Sequence, residues 1–192
     1  QVEPIPTAAE QQAARIQLGL PPAGFGLLMV ANDFRRKGLP AVQEALSQLK
    51  QKGVPVWLAV VGNSEPYSTE QGIYFLGKMS NPSVAYTAAD CLVHPTLEDT
   101  FAMVVLEAMA HHRPVIVSSA KFCGISALLT HEKNALLLDD PRDATAIADS
   151  VERLMQSPDC TQHLMHEGRQ FAANHIWSVS AAQQNTLYRT IL

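Results

Sequence analysis

Residues 91–114 read CLVHPTLEDTFAMVVLEAMAHHRP, and the order of their parts decides the fold. Cys91 to His94 is a short apolar run of the kind expected for a strand buried on both faces. Thr96 to Thr100 is a polar turn, and Thr100 to His111 reads as a helix. The turn carries two acids, Glu98 and Asp99, and a third acid, Glu107, lies inside the helix. Strand, polar turn and helix in this order are half of a parallel βαβ unit.

The same pattern repeats outward. On the N-terminal side, Phe25–Ala31 (FGLLMVA) and Val54–Val61 (VPVWLAVV) are continuous apolar runs of strand length, with a shorter one at Ile73–Leu76. Between the first two, Leu39, Val42, Leu46 and Leu49 recur at helical spacing, and Gly53 stops that helix. Asn81 and Pro82 open a helix to about Ala88. Downstream we expect strand Val115–Ser118, a short helix at Ile125–Leu129 and strand Ala135–Leu138. Helices at 141–155, 161–173 and 178–192 complete the expected elements. Alternating elements with apolar rather than period-two strands predict an α/β, Rossmann-like, doubly wound, mostly parallel sheet with helices on both faces. The domain expectation is 1–24 as linker and lead-in helix, 25–176 as the sheet domain, and 177–192 as a terminal helix.

At 192 residues, with 47% apolar and 17% charged residues, the chain is long and apolar enough for one sizeable core. A net charge of −4 gives no reason to expect nucleic acid. Cys91, Cys123 and Cys160 are far apart and odd in number, which argues for reduced thiols in a cytosolic protein. No apolar run approaches the ~18 residues of a membrane span. The chain opens on Gln1, and we expect it to be part of a longer protein.

Ligands of such sheets sit beyond the carboxyl ends of the strands, where this chain has the turns NDFRRKG, GNSEPY, GKMSN and TLEDT. Arg35, Arg36 and Lys37 read most simply as a solvated charge run. Their position at a strand end also suits a diphosphate, which arginine forks and a lysine ammonium neutralise. Glu98 and Asp99 can act as capping acids, with Thr100 as the cap. Glu107 sits in FAMVVLEAMA, where an unpartnered carboxylate is costly. It is a little over two turns beyond Asp99, so the two acids can face one side. A carboxylate so placed can hold ribose hydroxyls, and the N–H groups of Thr100, Phe101 and Ala102 can meet an oxygen. There is no GxGxxG after the first strand, no P-loop, no HExxH and no serine elbow. His111, His112, His163 and His166 read as surface histidines, and Cys123-Gly124 as a tight loop near the site.

HPTLEDTFAMVVLEAMAHHRPVIVSS (94–119) and VANDFRRKG (30–38) resemble the signature of group 1 (family 4) retaining glycosyltransferases of the GT-B architecture. The nearest version in motif is that of lipopolysaccharide core glucosyltransferases. The match in order and spacing covers about residues 25–156. The resemblance implies the C-terminal, donor-binding half of such an enzyme, with a nucleotide-diphosphate-sugar as substrate and no cofactor or essential metal. Glu107 would hold the ribose, and Asp99 would approach the sugar with Glu98 beside it. Arg36 and Lys37 would stabilise the departing diphosphate, and Arg36 or Arg35 would take over the phosphate contact of the arginine that many members carry where Asn32 stands. Gly77 and Lys78 would flank the base, Gly62 would give close approach after the second strand, and Gly124 would border the site.

The sequence departs from the family pattern at four places, the first being the leading acid of its Glu–seven residues–Glu pattern, which is Asp99 here with Glu98 one place early. Asn32 replaces an arginine, Ala102 a glycine, and His112 a glycine common at that helix end. The resemblance also implies a missing N-terminal acceptor-binding domain as partner. The helix at 178–192, with Trp177 before it, would pack on that domain. Acceptors would be glycans, glycolipids or lipopolysaccharide, and peripheral contact with the inner membrane face would come through the missing half. By itself the present chain would bind donor and turn over little. Two alternatives stay open: a non-catalytic nucleotide-binding or interaction module with this fold, and a GT-B epimerase.

Overall fold

The computed structural model describes residues 3–62 and 71–175. Its elements are α1 (Ala8–Gln17), β1 (Phe25–Val30), α2 (Leu39–Gln51), β2 (Val56–Val61), β3 (Ile73–Gly77), α3 (Ser83–Ala88) and β4 (Cys91–His94). They continue with α4 (Met103–Ala110), β5 (Val115–Ser118), a 3-10 turn (Gly124–Leu128), β6 (Leu136–Leu138), α5 (Ala144–Gln156) and α6 (Pro158–Asn174). The six strands form one sheet in the order β3-β2-β1-β4-β5-β6, and every ladder is parallel. The expected helix at 178–192, Trp177, and most of the loop after β2 lie outside the described residues.

Alternate residues of each strand serve opposite faces. Leu28, Ala59, Val61, Leu92 and Val117 build one core with α1, α3 and α4. Leu27, Met29, Leu58, Val60, Val93 and Ile116 build the other with α2 and α5. Both faces are apolar because both are covered, which is why the strands read as unbroken hydrophobic runs. The lead-in helix α1 starts on a capping box, Thr7 with Glu10. It is held to the sheet's N-terminal end by Arg15, which donates to Asp90 at 2.7 Å and to the Ala88 carbonyl at 2.9 Å.

Several boundaries move from expectation. Helix α6 begins at Pro158 rather than Thr161, with the proline in the first turn, where its missing N–H costs nothing. Helix α3 begins at Ser83, whose N–H donates to the Asn81 side chain at 3.0 Å. Helix α4 begins three residues late, at Met103, because Ala102 takes a left-handed conformation with φ 62° and interrupts the helical run.

His112 is a correction: it is not on the surface. It is 3% exposed and has φ 56°. Its N–H donates to the Met109 carbonyl, and that of Arg113 to the Ala108 carbonyl. This pair of bonds closes α4 as a Schellman motif with histidine where glycine is usual. The ring donates from Nε2 to the Glu3 carbonyl at 2.9 Å. Burial lowers the pKa of the ring; the bond to Glu3 opposes this, and the charges of Arg169, Arg113 and His111 add to the lowering. Below the ordinary value of 6.5 the unfolded chain therefore takes up a proton that the native ring resists. The contribution is full above that value and declines as pH falls beneath it. Melting curves at about pH 7.5 and about pH 5.5 should show a larger loss of stability in the wild type than in His112→Gly. Equal losses would exclude His112 as the cause.

Candidate functional site

The sheet order reverses between β1 and β4, and doubly wound sheets hold ligands in the crevice such a reversal opens. A cavity of about 520 Å³ lies there. The loop after β1 brings Asn32, Arg36 and Lys37 to it; the loops after β2 and β3 bring Gly62, Lys78 and Met79. His94 and Asp99 enter from the end of β4, and Phe101 to Val104 from the start of α4.

Close backbone approach sets these loops. Gly38 has φ 86°, and a Cβ there would overlap the Pro95 carbonyl oxygen. The Leu97 N–H donates to the Arg36 carbonyl at 2.8 Å, so the basic and acidic turns are stitched together. On the other side, Asp99 N–H donates to the Phe122 carbonyl and Gly124 N–H to the Asp99 carbonyl. A side chain on Gly124 would collide with the Thr100 carbonyl. Gly124 thus backs the acidic turn and does not line the cavity. Gly62 lines it, but the atom its bare Cα admits is the Ala31 carbonyl oxygen, a contact within the protein.

Asp99 is the centre of the arrangement. Oδ1 accepts the N–H groups of Phe101 at 3.2 Å and Ala102 at 2.8 Å. Oδ2 meets Lys37 Nζ at 2.5 Å and His94 Nε2 at 3.1 Å. The bond from His94, ahead of those from Lys37, holds this carboxyl well below the usual carboxylate range although burial works against it. Three expectations are corrected here. The N–H groups of Phe101 and Ala102 are taken by Asp99 and are not free for a ligand. Thr100 is exposed and does not cap α4. Glu98 is exposed as well, and it is the Glu98 backbone carbonyl that accepts from Lys37, at 3.1 Å.

Glu107 belongs to a second group. It does not line the cavity; its half-buried Oε2 accepts from the Tyr86 hydroxyl of α3 at 2.8 Å. Oε1 accepts no hydrogen bond among the described residues. Burial, together with the Glu107 charge, pushes the Tyr86 phenol far above its ordinary value, so this hydroxyl stays a donor. Arg36 lines the cavity and pairs with Asp33 at 3.3 Å, both half-exposed. Arg35 is exposed and lies outside the lining. Lys78 lines the cavity, whereas Gly77 turns the chain just before it with φ 70°.

Two participants escaped sequence reasoning. His94 was legible as an ionisable residue at a strand end. Tyr86 carried no signal, since its pairing with Glu107 spans 21 residues and two elements.

Residues 24–157 match the family model described as glycosyl transferases group 1. The D-inositol 3-phosphate glycosyltransferase of Corynebacterium urealyticum is 26% identical over 204 residues, which is 96% of this chain and 47% of that protein. The lipopolysaccharide glucosyltransferase WaaG of Escherichia coli is 27% identical over 143 residues, 69% of this chain and 38% of that protein. Among solved structures, Anabaena HepE in complex with UDP-glucose superposes with a TM-score of 0.82 at 20% identity, covering 97% of this chain and 54% of that one. This chain spans about half the length, or less, of the curated relatives it matches.

The glycine contact that stitches the two turns is open to test. Gly38→Ala adds left-handed strain of roughly 1–2 kcal/mol and a clash of roughly 1–3 kcal/mol. Urea unfolding should show a loss of that combined order. A change near zero would mean that Gly38 does not hold the Lys37 turn against Pro95.

Proposed function

The chain belongs to the glycosyl transferases group 1 family, and we propose that it is the donor-binding half of an enzyme moving a sugar, with retention, from a nucleotide-diphosphate-sugar to an acceptor hydroxyl. The observation that carries this reading is the cavity at the β1/β4 reversal, into which the structure brings Lys37, Arg36 and Asp99 together. Glu107 stands one helical turn beyond the lining residues Met103 and Val104.

As the bond from the sugar C1 to the diphosphate breaks, its electron pair passes to the phosphate oxygen. Cations fixed beside that oxygen lower the barrier. Lys37 and Arg36 are the cavity's cations for this task, and Arg36, half-exposed, stands in for the arginine absent at Asn32. Glu107 takes the ribose hydroxyls through Oε1, while Tyr86 holds Oε2. The base lies against Lys78 and Met79. The complex of HepE with UDP-glucose supports a uridine donor as the first to try.

The acceptor, a glycan, glycolipid or lipopolysaccharide hydroxyl, reaches the sugar from a second domain, since the relatives are about twice this length or more. The free thiols of Cys91, Cys123 and Cys160 support a reducing compartment. No helix among the described residues is long and apolar enough to cross a membrane, and contact with a membrane face is assigned to the second domain.

Calorimetry with UDP, ADP and GDP tests the reading. The wild type should bind one of them, and Glu107→Ala should weaken it at least about tenfold, roughly 1.4 kcal/mol. Arg36→Ala should weaken it several-fold, whereas Arg35→Ala should be near neutral. No binding by the wild type, or equal binding by Glu107→Ala, would count against the proposal.

A further inference from the structure

A carboxylate offers about four acceptor positions, and in this structure Asp99 has all of them filled from within the protein. Phe101 and Ala102 take Oδ1, and Lys37 and His94 take Oδ2. A sugar hydroxyl can donate to Asp99 only if one of the four leaves. The two backbone donors are fixed by the turn. Lys37 carries a compact ammonium on a flexible stem and is the one partner that a diphosphate would draw away.

His94 differs from Lys37 in every relevant respect. It is 1% exposed at the end of β4 and rigidly placed by the sheet. Its Nδ1 is buried with no hydrogen-bond partner among the described residues, so the Asp99 contact is the ring's one polar attachment there. A donor at Nε2 is the assignment that suits a carboxylate acceptor, and it leaves the bare nitrogen, rather than an N–H, as the unpaired group.

We propose that His94 is a positioning residue that holds Oδ2 of Asp99 in place, so that Lys37 can move to the donor diphosphate and the vacated lone pair can accept a hydroxyl of the sugar. This rests on the donor-binding reading above. It makes recognition of the sugar conditional on the diphosphate: until Lys37 has left, Asp99 is saturated. The other groups that face the carboxylate are Lys37 from the loop after β1 and the Cys123 thiol ahead of the 3-10 turn. Neither comes from β4, and neither can replace an anchor fixed in the sheet.

Three variants of the 192-residue chain separate the outcomes. His94→Gln keeps an amide donor near the position of Nε2. His94→Leu removes it, and His94→Asn, too short to reach Oδ2, is read in its place if His94→Leu does not melt cooperatively. Without ligand, carbon NMR at about pH 4, close to the ordinary aspartate value of about 3.9, should find Asp99 ionised in the wild type and in His94→Gln. In His94→Leu, which keeps Lys37 and both backbone donors, a titration to lower pH should place the protonation of Asp99 above the wild-type midpoint.

With ligand, calorimetry should show that His94→Leu loses at least about tenfold in affinity for UDP-glucose and less than about threefold for UDP. His94→Gln should restore the UDP-glucose value. Unchanged Asp99 titration together with unchanged UDP-glucose binding in His94→Leu would overturn the proposal. Equal losses for UDP and UDP-glucose would overturn it too, as a structural role only. If the wild type binds neither ligand while the Asp99 titration still follows His94, the donor reading falls and takes the sugar role with it, leaving only the hydrogen bond.

Discussion

The mouth of the cavity depends on one carboxylate. Asp99 joins the loop after β1, through Lys37, to the end of β4, through His94, and to the first residues before α4, through two backbone N–H groups. It ties together parts of the chain that the sheet brings near but does not itself align. Because His94 and Lys37 keep it ionised, the tie is charge-assisted, and such bonds are roughly twice as strong as neutral ones. The turn around it can therefore be irregular, with Ala102 left-handed, and still be well placed.

Around that centre the backbone is packed against itself. At Gly38, Gly62 and Gly124 a carbonyl oxygen of another segment occupies the space a side chain would need. Each contact draws two loops together: the basic turn onto Pro95, the end of β2 onto Ala31, and the 3-10 turn onto Thr100. These glycines shape the cavity from behind, and only Gly62 among them lines it. The same logic separates the two acids. Asp99 is held by the loops, while Glu107 is held by Tyr86 from a neighbouring helix, and each keeps its own set of partners.

Much of this was legible beforehand where the physics is local. Cys91–His94 and Val115–Ser118 were placed to the residue, because a strand covered on both faces must be apolar throughout. Lys37 and Asp99 could be singled out as ionisable groups at strand ends, and Glu107 as a carboxylate in an apolar run. The sequence pattern starts helix α4 three residues early, since nothing in Thr100–Ala102 announces that an alanine adopts φ 62°. His112 reads as a surface residue for a related reason: a histidine pair has a solvated pattern, and only the fold makes one of the two close a helix against the Glu3 carbonyl.

What the sequence by itself determined is the α/β alternation, the strand ends whose turns line the cavity and the family to which those turns belong. These follow from hydrophobic runs and from residue types at short spacing, as in 30–38 and 94–119. What only the tertiary structure decided is who holds whom. Lys37 and Asp99 are 62 residues apart and Tyr86 and Glu107 are 21 apart, and no local pattern encodes either pair. The difference is physical: burial preferences act residue by residue along the chain. Hydrogen bonds and ion pairs exist only after the parallel sheet has brought distant turns to one edge and left each carboxylate a limited number of places to accept.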